Sequence, residues 1–128
     1  MKKITLPNAP EPKGHYSPAV VHGGLVFVSG QLAVHPETGE EVTASIEAQT
    51  EQCLRNVEAV LRAAGSDLSR VLKMTIYVSD ESLWGAVNET YARVMGARKP
   101  ARAIIPVNKF RGDFLIEVEA IAAVKNDD

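Results

Sequence analysis

A single cysteine, Cys53, stands among the 128 residues, so the chain can form neither an internal disulfide nor a multi-cysteine metal site. That fits a reducing compartment, and the cytoplasm is the expected location. Aromatic residues amount to only 5%, and 14 Lys and Arg, scattered from Lys2 to Lys125, face 16 Asp and Glu. A net charge of -2 with no basic cluster offers little to draw in nucleic acid or anionic lipid, and few rings on which bases could stack. No apolar run approaches the ~18 residues that a membrane span needs. The opening Met1-Lys2-Lys3-Ile4-Thr5-Leu6-Pro7-Asn8 breaks at proline before the apolar centre of a signal peptide could form, so none is expected. His15, His22 and His35 lack the i,i+4 spacing or the neighbouring cysteines of a zinc site, and no metal is expected.

What is present is the composition of an ordinary folded protein, 45% hydrophobic and 23% charged, at a length suited to one domain over residues 1–128. Three prolines, Pro7, Pro10 and Pro12, keep the lead extended, with at most a short edge strand around Ile4 to Leu6. Residues 19–22 and 25–29 read as strands joined by Gly23-Gly24, a two-residue hairpin signal. From Ser45 to Ala64 the set Ile46, Cys53, Leu54, Val57, Val60, Leu61 and Ala64 recurs at helical spacing and stops at Gly65. Residues 71–78 alternate, predicting a strand with Leu72, Met74, Ile76 and Val78 on one face and Val71, Lys73, Thr75 and Tyr77 on the other. Ser79 or Asp80 can cap a second helix carrying Leu83, Trp84, Val87, Tyr91, Val94 and Met95 on one side. Two last strands are expected at about 101–107 and 115–124. The order β-β-α-β-α-β-β makes an α+β protein with two helices on one face of a mixed sheet. Val71, Tyr77, Ile104 and Ile121, assigned to the opposite face, are too apolar for water, so a further copy of the chain is expected to cover it.

Arg102, Ile104 and Pro106 share one face of their strand, and Glu117, Glu119 and Ile121 share one of the next, placing a cation and carboxylates on what reads as neighbouring strands. Two readings fit. A planar guanidinium can receive a small carboxylate through two parallel hydrogen bonds while a side-chain carboxylate handles a water. Alternatively, Arg102 and Glu117 form a structural ion pair within or between chains. Cys53, on the buried stripe of its helix, reads as an inert packed thiol. Trp84 reads as core or interface, and Glu119 as structural or lumen-lining.

Several segments carry a resemblance. Pro100-Ala101-Arg102-Ala103, followed after a loop by Leu115-Ile116-Glu117-Val118-Glu119-Ala120-Ile121-Ala122, is similar to the C-terminal signature of the RidA/YjgF family of reactive-intermediate deaminases, also called the endoribonuclease L-PSP family. Gly14-His15-Tyr16-Ser17-Pro18-Ala19 resembles that family's Gly-Pro-Tyr-Ser-Gln-Ala segment, and Val28-Ser29-Gly30-Gln31-Leu32 its strand end. Gln49-Thr50-Glu51-Gln52 with Asn56, and Val87-Asn88-Glu89-Thr90-Tyr91, resemble its helix patterns. The match runs through nearly the whole chain in order.

The resemblance implies a chorismate mutase-like, RidA-like fold and a homotrimer whose sheets form a central β-barrel with clefts between protomers. It implies hydrolysis of 2-iminobutanoate or 2-iminopropanoate, and of the enamine 2-aminoacrylate, to 2-keto acids and ammonium without metal or organic cofactor. On that resemblance Arg102 binds the substrate carboxylate and Glu117 positions or activates the attacking water. Tyr16, Ser29 and the Gly30 backbone line the cleft, Asn88 supports its wall, and Ile104 takes the place where the family often has cysteine, which excludes a thiol role there. Pro106 is expected to bulge or end its strand, and Arg111 stands near where a proline is frequent. A non-catalytic trimeric binder of keto or amino acids is the first rival reading, and an endoribonuclease or translation inhibitor the second.

Overall fold

The double glycine does turn the chain. In the computed structural model, which describes residues 1–125, Gly23 and Gly24 have φ of 58° and 77°, the left-handed backbone that a tight hairpin linking right-twisted strands requires. Residues 126–128, included in the expected domain, lie outside the described residues. The hairpin joins β2 (Ala19–His22) to β3 (Leu25–Gln31), and β1 (Lys2–Ile4) pairs antiparallel with β2 along the edge. That edge strand ends at Ile4 rather than reaching Leu6.

The first helix, α1 (Ile46–Ala63), starts where Ser45 accepts a 3.0 Å bond from the Ala48 amide on its Oγ. Ser45→Ala removes this cap and is expected to lower the unfolding free energy by about 1 kcal/mol, read in a urea titration with an unchanged slope. The apolar stripe of α1 is buried as its spacing predicts, with Cys53, Leu54, Val57, Val60 and Leu61 fully inaccessible. A 3-10 turn at Leu68–Arg70 leads into β4 (Val71–Val78). Asp80 then caps a second 3-10 turn, Glu81–Leu83, which runs into α2 (Trp84–Met95), followed by β5 (Ala101–Pro106) and β6 (Ile116–Ala123). The strand stops at Pro106, as a residue without an amide hydrogen dictates.

The six strands lie in the order β1-β2-β3-β6-β4-β5, with β4 and β5 parallel and the remaining neighbours antiparallel. This is the expected α+β mixed sheet, both helices packing on one face. The core between them is built from Val26, Met74, Ile76, Val118 and Ala122 beneath α1 and α2.

Three expectations about facing change. Alternation in β4 put Leu72 inside and Val71 outside, but the register slips between Val71 and Lys73, so Val71 is buried and Leu72 is half exposed. A bulge inserts one residue and reverses the sense of everything before it. Ile104 pairs with the buried Ile76 and so belongs to the helix side, and with it goes Val71. The open face carries Phe27, Tyr77, Ile105 and Ile121 instead, together with Lys73, Thr75, Glu117 and Glu119. Finally, β5 and β6 are not neighbours, because β4 lies between them.

Candidate active site

The intervening strand separates the two charged groups by face as well as by distance. Arg102 pairs with Met74, which is wholly buried under the helices, whereas Glu117 pairs with Tyr77 on the open face. Met74 and Tyr77 are an odd number of residues apart on one strand, so their partners point oppositely. Arg102 and Glu117 therefore do not meet within one chain, and the intrachain ion pair is overturned.

Around Arg102 the neighbours come from α2. Its Nη1 donates a 2.8 Å hydrogen bond to Asn88 Oδ1, and its guanidinium carbon lies 4.9 Å from the Tyr91 ring centre and 5.7 Å from that of Trp84. Among the described residues it forms no ion pair with a carboxylate. Residues 84, 88 and 91 share one helical face, and β5, packed parallel beside β4, presents Arg102 to it. A partly exposed guanidinium held by a neutral amide and aromatic faces keeps donors available for an anion. Trp84, 47% exposed, is not a core residue. Its place beside Arg102 and that of Tyr91 were missed in the sequence, although the i, i+4, i+7 spacing with Asn88 was there to be read.

The second cluster surrounds Glu117. It lines an open cleft of about 670 Å³ with Tyr16, Gly30, Leu32, Lys13 and Arg111. Burial, and secondarily the charge of Glu119, push the Glu117 carboxyl above the usual carboxylate range. Glu119 accepts a 2.6 Å bond from the Tyr77 hydroxyl, which raises the phenol's pKa and occupies the carboxylate. Glu117, with its raised pKa, lines the cleft, where a group that takes a proton from water would have to stand. Gly30 is there for closeness: a Cβ on it would lie 2.7 Å from Glu117 Oε2. Gly30→Ala is expected to swing that flexible carboxylate aside, lowering kcat/KM about tenfold with little change in Tm, since catalysis is more sensitive to misplacement than folding is. Paired thermal melts and rate measurements check it.

Ser29 does not offer its hydroxyl to the cleft. Its Oγ donates to the Ser17 carbonyl at 2.6 Å and its amide to that of Pro18 at 2.9 Å, tying the segment that bears Tyr16 onto β3. Buried polar residues of α1 fix the other walls. Asn56 donates to the Leu32 and Val34 carbonyls, and Gln49 bridges Asp113 O and the Leu115 amide. The apolar pattern of the helix gave no sign of this work. Cys53 lies against the Ile116 carbonyl, fully buried, with its thiol pKa pushed far up by desolvation. Arg111 pairs with Glu41 at 3.3 Å over the Phe114 ring.

The fold and these clusters define an α+β protein that carries a guanidinium flanked by two aromatic rings on one side of its sheet and a partly buried carboxylate in a cleft on the other. The chain belongs to the Endoribonuclease L-PSP family, whose model matches residues 6–124. It is 45% identical over 123 residues to a RutC family protein of Pyrococcus horikoshii, covering 95% of this chain and 98% of that one. It is 41% identical over 121 residues to Reactive Intermediate Deaminase A, chloroplastic, of Arabidopsis thaliana, covering 94% of this chain and 65% of that longer protein. The solved structure of E. coli TdcF with bound serine superposes with a TM-score of 0.88 at 34% identity, over 96% of this chain and 98% of that one. No described helix is long and apolar enough to cross a membrane.

Proposed function

We propose that the protein is a cytoplasmic imine deaminase that hydrolyses small 2-imino acids, 2-iminobutanoate and 2-iminopropanoate with its enamine tautomer 2-aminoacrylate, at clefts between the protomers of a homotrimer. The observation that carries this reading is the separation of Arg102 from Glu117: each half is incomplete in one chain, and a neighbouring copy can bring one protomer's Arg102 to the other's Glu117. The open face, with Phe27, Ile105 and Ile121 exposed or partly so, is the surface the proposed barrel would enclose. Kinship with a reactive intermediate deaminase, and with a protein that binds serine, supports a small amino-acid-like ligand bearing a carboxylate.

In this mechanism Arg102, oriented by Asn88, clasps the substrate carboxylate, and Ile104 and Tyr16 border the substrate. The imine carbon, already electrophilic, is attacked by water as Glu117 takes a proton from it. On an imine protonated at nitrogen this attack gives a neutral carbinolamine; Glu117 then returns its proton to that nitrogen, the C–N bond breaks as the hydroxyl gives up its own proton, and the 2-keto acid and ammonium leave. The Gly30 backbone sets the distance to Glu117. Orientation, one proton acceptor and exclusion of bulk water suffice for such a reaction, so no cofactor enters it.

The test is a coupled assay in which a pyridoxal-phosphate dehydratase releases fresh imine from threonine and the appearance of 2-oxobutanoate is timed. Acceleration proportional to added protein supports the proposal. Binding of 2-oxobutanoate without acceleration would make the protein a binder, and salt-sensitive RNA cleavage without acceleration would make it a nuclease.

A further inference from the structure

Among the described residues the guanidinium of Arg102 donates one hydrogen bond to a side chain, Asn88 Oδ1, yet a fork must be held in both position and plane to meet a carboxylate bidentately. The remaining restraint comes from two rings. Tyr91 is 6% exposed and forms a fixed floor 4.9 Å from the guanidinium carbon, and Trp84, one helical turn before Asn88, stands 5.7 Å away as a half-exposed wall. Both distances fall within the range at which the face of an aromatic ring attracts a cation. Trp84 is anchored at the first residue of α2, just after the 3-10 turn that Asp80 caps, so its backbone is set by the helix start rather than by a loose loop.

We infer that Trp84 and Tyr91 are positioning residues: their rings sandwich the Arg102 guanidinium and present its free edge to the carboxylate of the incoming ligand. This rests on the deaminase reading for the chemistry but not for the binding, which concerns any small carboxylate. Two features argue for a purpose beyond filling space. The guanidinium has no competing carboxylate among the described residues to hold it. And its hydrogen bond is to an amide, which leaves the full charge to be felt by the rings and then by the ligand. Charge on Arg102 in turn opposes the rise that burial gives the Tyr91 phenol pKa, as expected for groups in contact.

Because the carboxylate is gripped alike before and during reaction, loss of this orientation should appear mainly in affinity. The experiment compares Trp84→Phe, Trp84→Leu and Trp84→Ala, whose exposed site tolerates change, by calorimetric titration with 2-oxobutanoate, by kcat and KM in the coupled assay, and by light scattering for assembly. Leu and Ala are expected to weaken 2-oxobutanoate binding and raise KM about fivefold, with kcat changed less than KM and assembly kept, while Phe stays within about twofold of the parent. Leucine fills the same apolar space without a π face, so a Leu variant with the parent's affinity, or one that loses affinity only because it dissociates, overturns the inference. A parent protein that binds 2-oxobutanoate in the aromatic-dependent way but does not deaminate would sink the deaminase reading alone, and a parent that does not bind it sinks both.

Discussion

Arg102→Ala should lower kcat/KM for 2-iminobutanoate on the order of 100-fold while leaving the circular dichroism spectrum and the oligomeric state unchanged. The magnitude follows from two charge-assisted hydrogen bonds to a carboxylate, together about 3 kcal/mol or more, felt by substrate and transition state. The fold should tolerate the change because Arg102 is partly exposed on the strand at the sheet edge, and what it releases is Asn88, a neutral amide that water can satisfy. Arg102→Lys is expected to recover only part of the loss, because an ammonium keeps the charge but not the planar fork. Near-parental turnover by the alanine variant would remove the mechanism.

Glu117→Gln is expected to be the more damaging change, lowering kcat by roughly 10²- to 10⁴-fold, the usual contribution of a positioned general base. The pH dependence carries the sharper test. Burial raises the Glu117 pKa above that of an exposed carboxyl, so the group is a better base than its type suggests, and kcat/KM of the parent should fall as pH drops through that raised value. The acidic limb should vanish in the glutamine variant. Stability runs the other way. A carboxyl whose pKa is higher folded than unfolded stabilises the fold fully below its unfolded pKa and loses that contribution as pH rises through the folded one. At neutral pH the parent thus bears the cost of an ionised, partly buried acid, and Glu117→Gln should melt at a higher temperature than the parent, a difference that closes on acidification. A variant less stable at pH 7 and unaltered in its pH profile would place Glu117 among the structural residues.

How much of this could be read in advance differs by element. The hairpin, both helices and the bounds of β4 followed from local chemistry: paired glycines, 3.6-residue apolar stripes ending at glycine and strict alternation. The facing of Val71 and Leu72 did not, because the bulge that reverses them depends on the register against β6, and nothing in residues 71–73 announces it. The site was legible as a set of residue types but not as an arrangement. Arg102 and Glu117 read as occupants of adjacent strands, since β5 and β6 follow each other in the chain; the crossover through α2 instead sets β5 parallel to β4 at the edge, and β6 enters between β3 and β4. Ser29 reads as a cleft hydroxyl and proves to be a tie to Ser17, because only the folded chain brings that carbonyl within reach. Gln49 and Asn56 stood in the sequence only as part of a family-like helix pattern, and the loops they hold come into view only in the folded chain.

The sequence by itself determined the elements, the buried helix stripes, the inertness of Cys53 and the small set of residues capable of acid, base or anion-binding work, since each depends on composition and on spacings of a few residues. Only the tertiary structure decided that Arg102 and Glu117 face opposite sides of one sheet and that two aromatic rings flank the guanidinium. Strand order, register and the meeting of a helix with a sheet edge are set by packing between segments far apart in the chain, which no local pattern encodes.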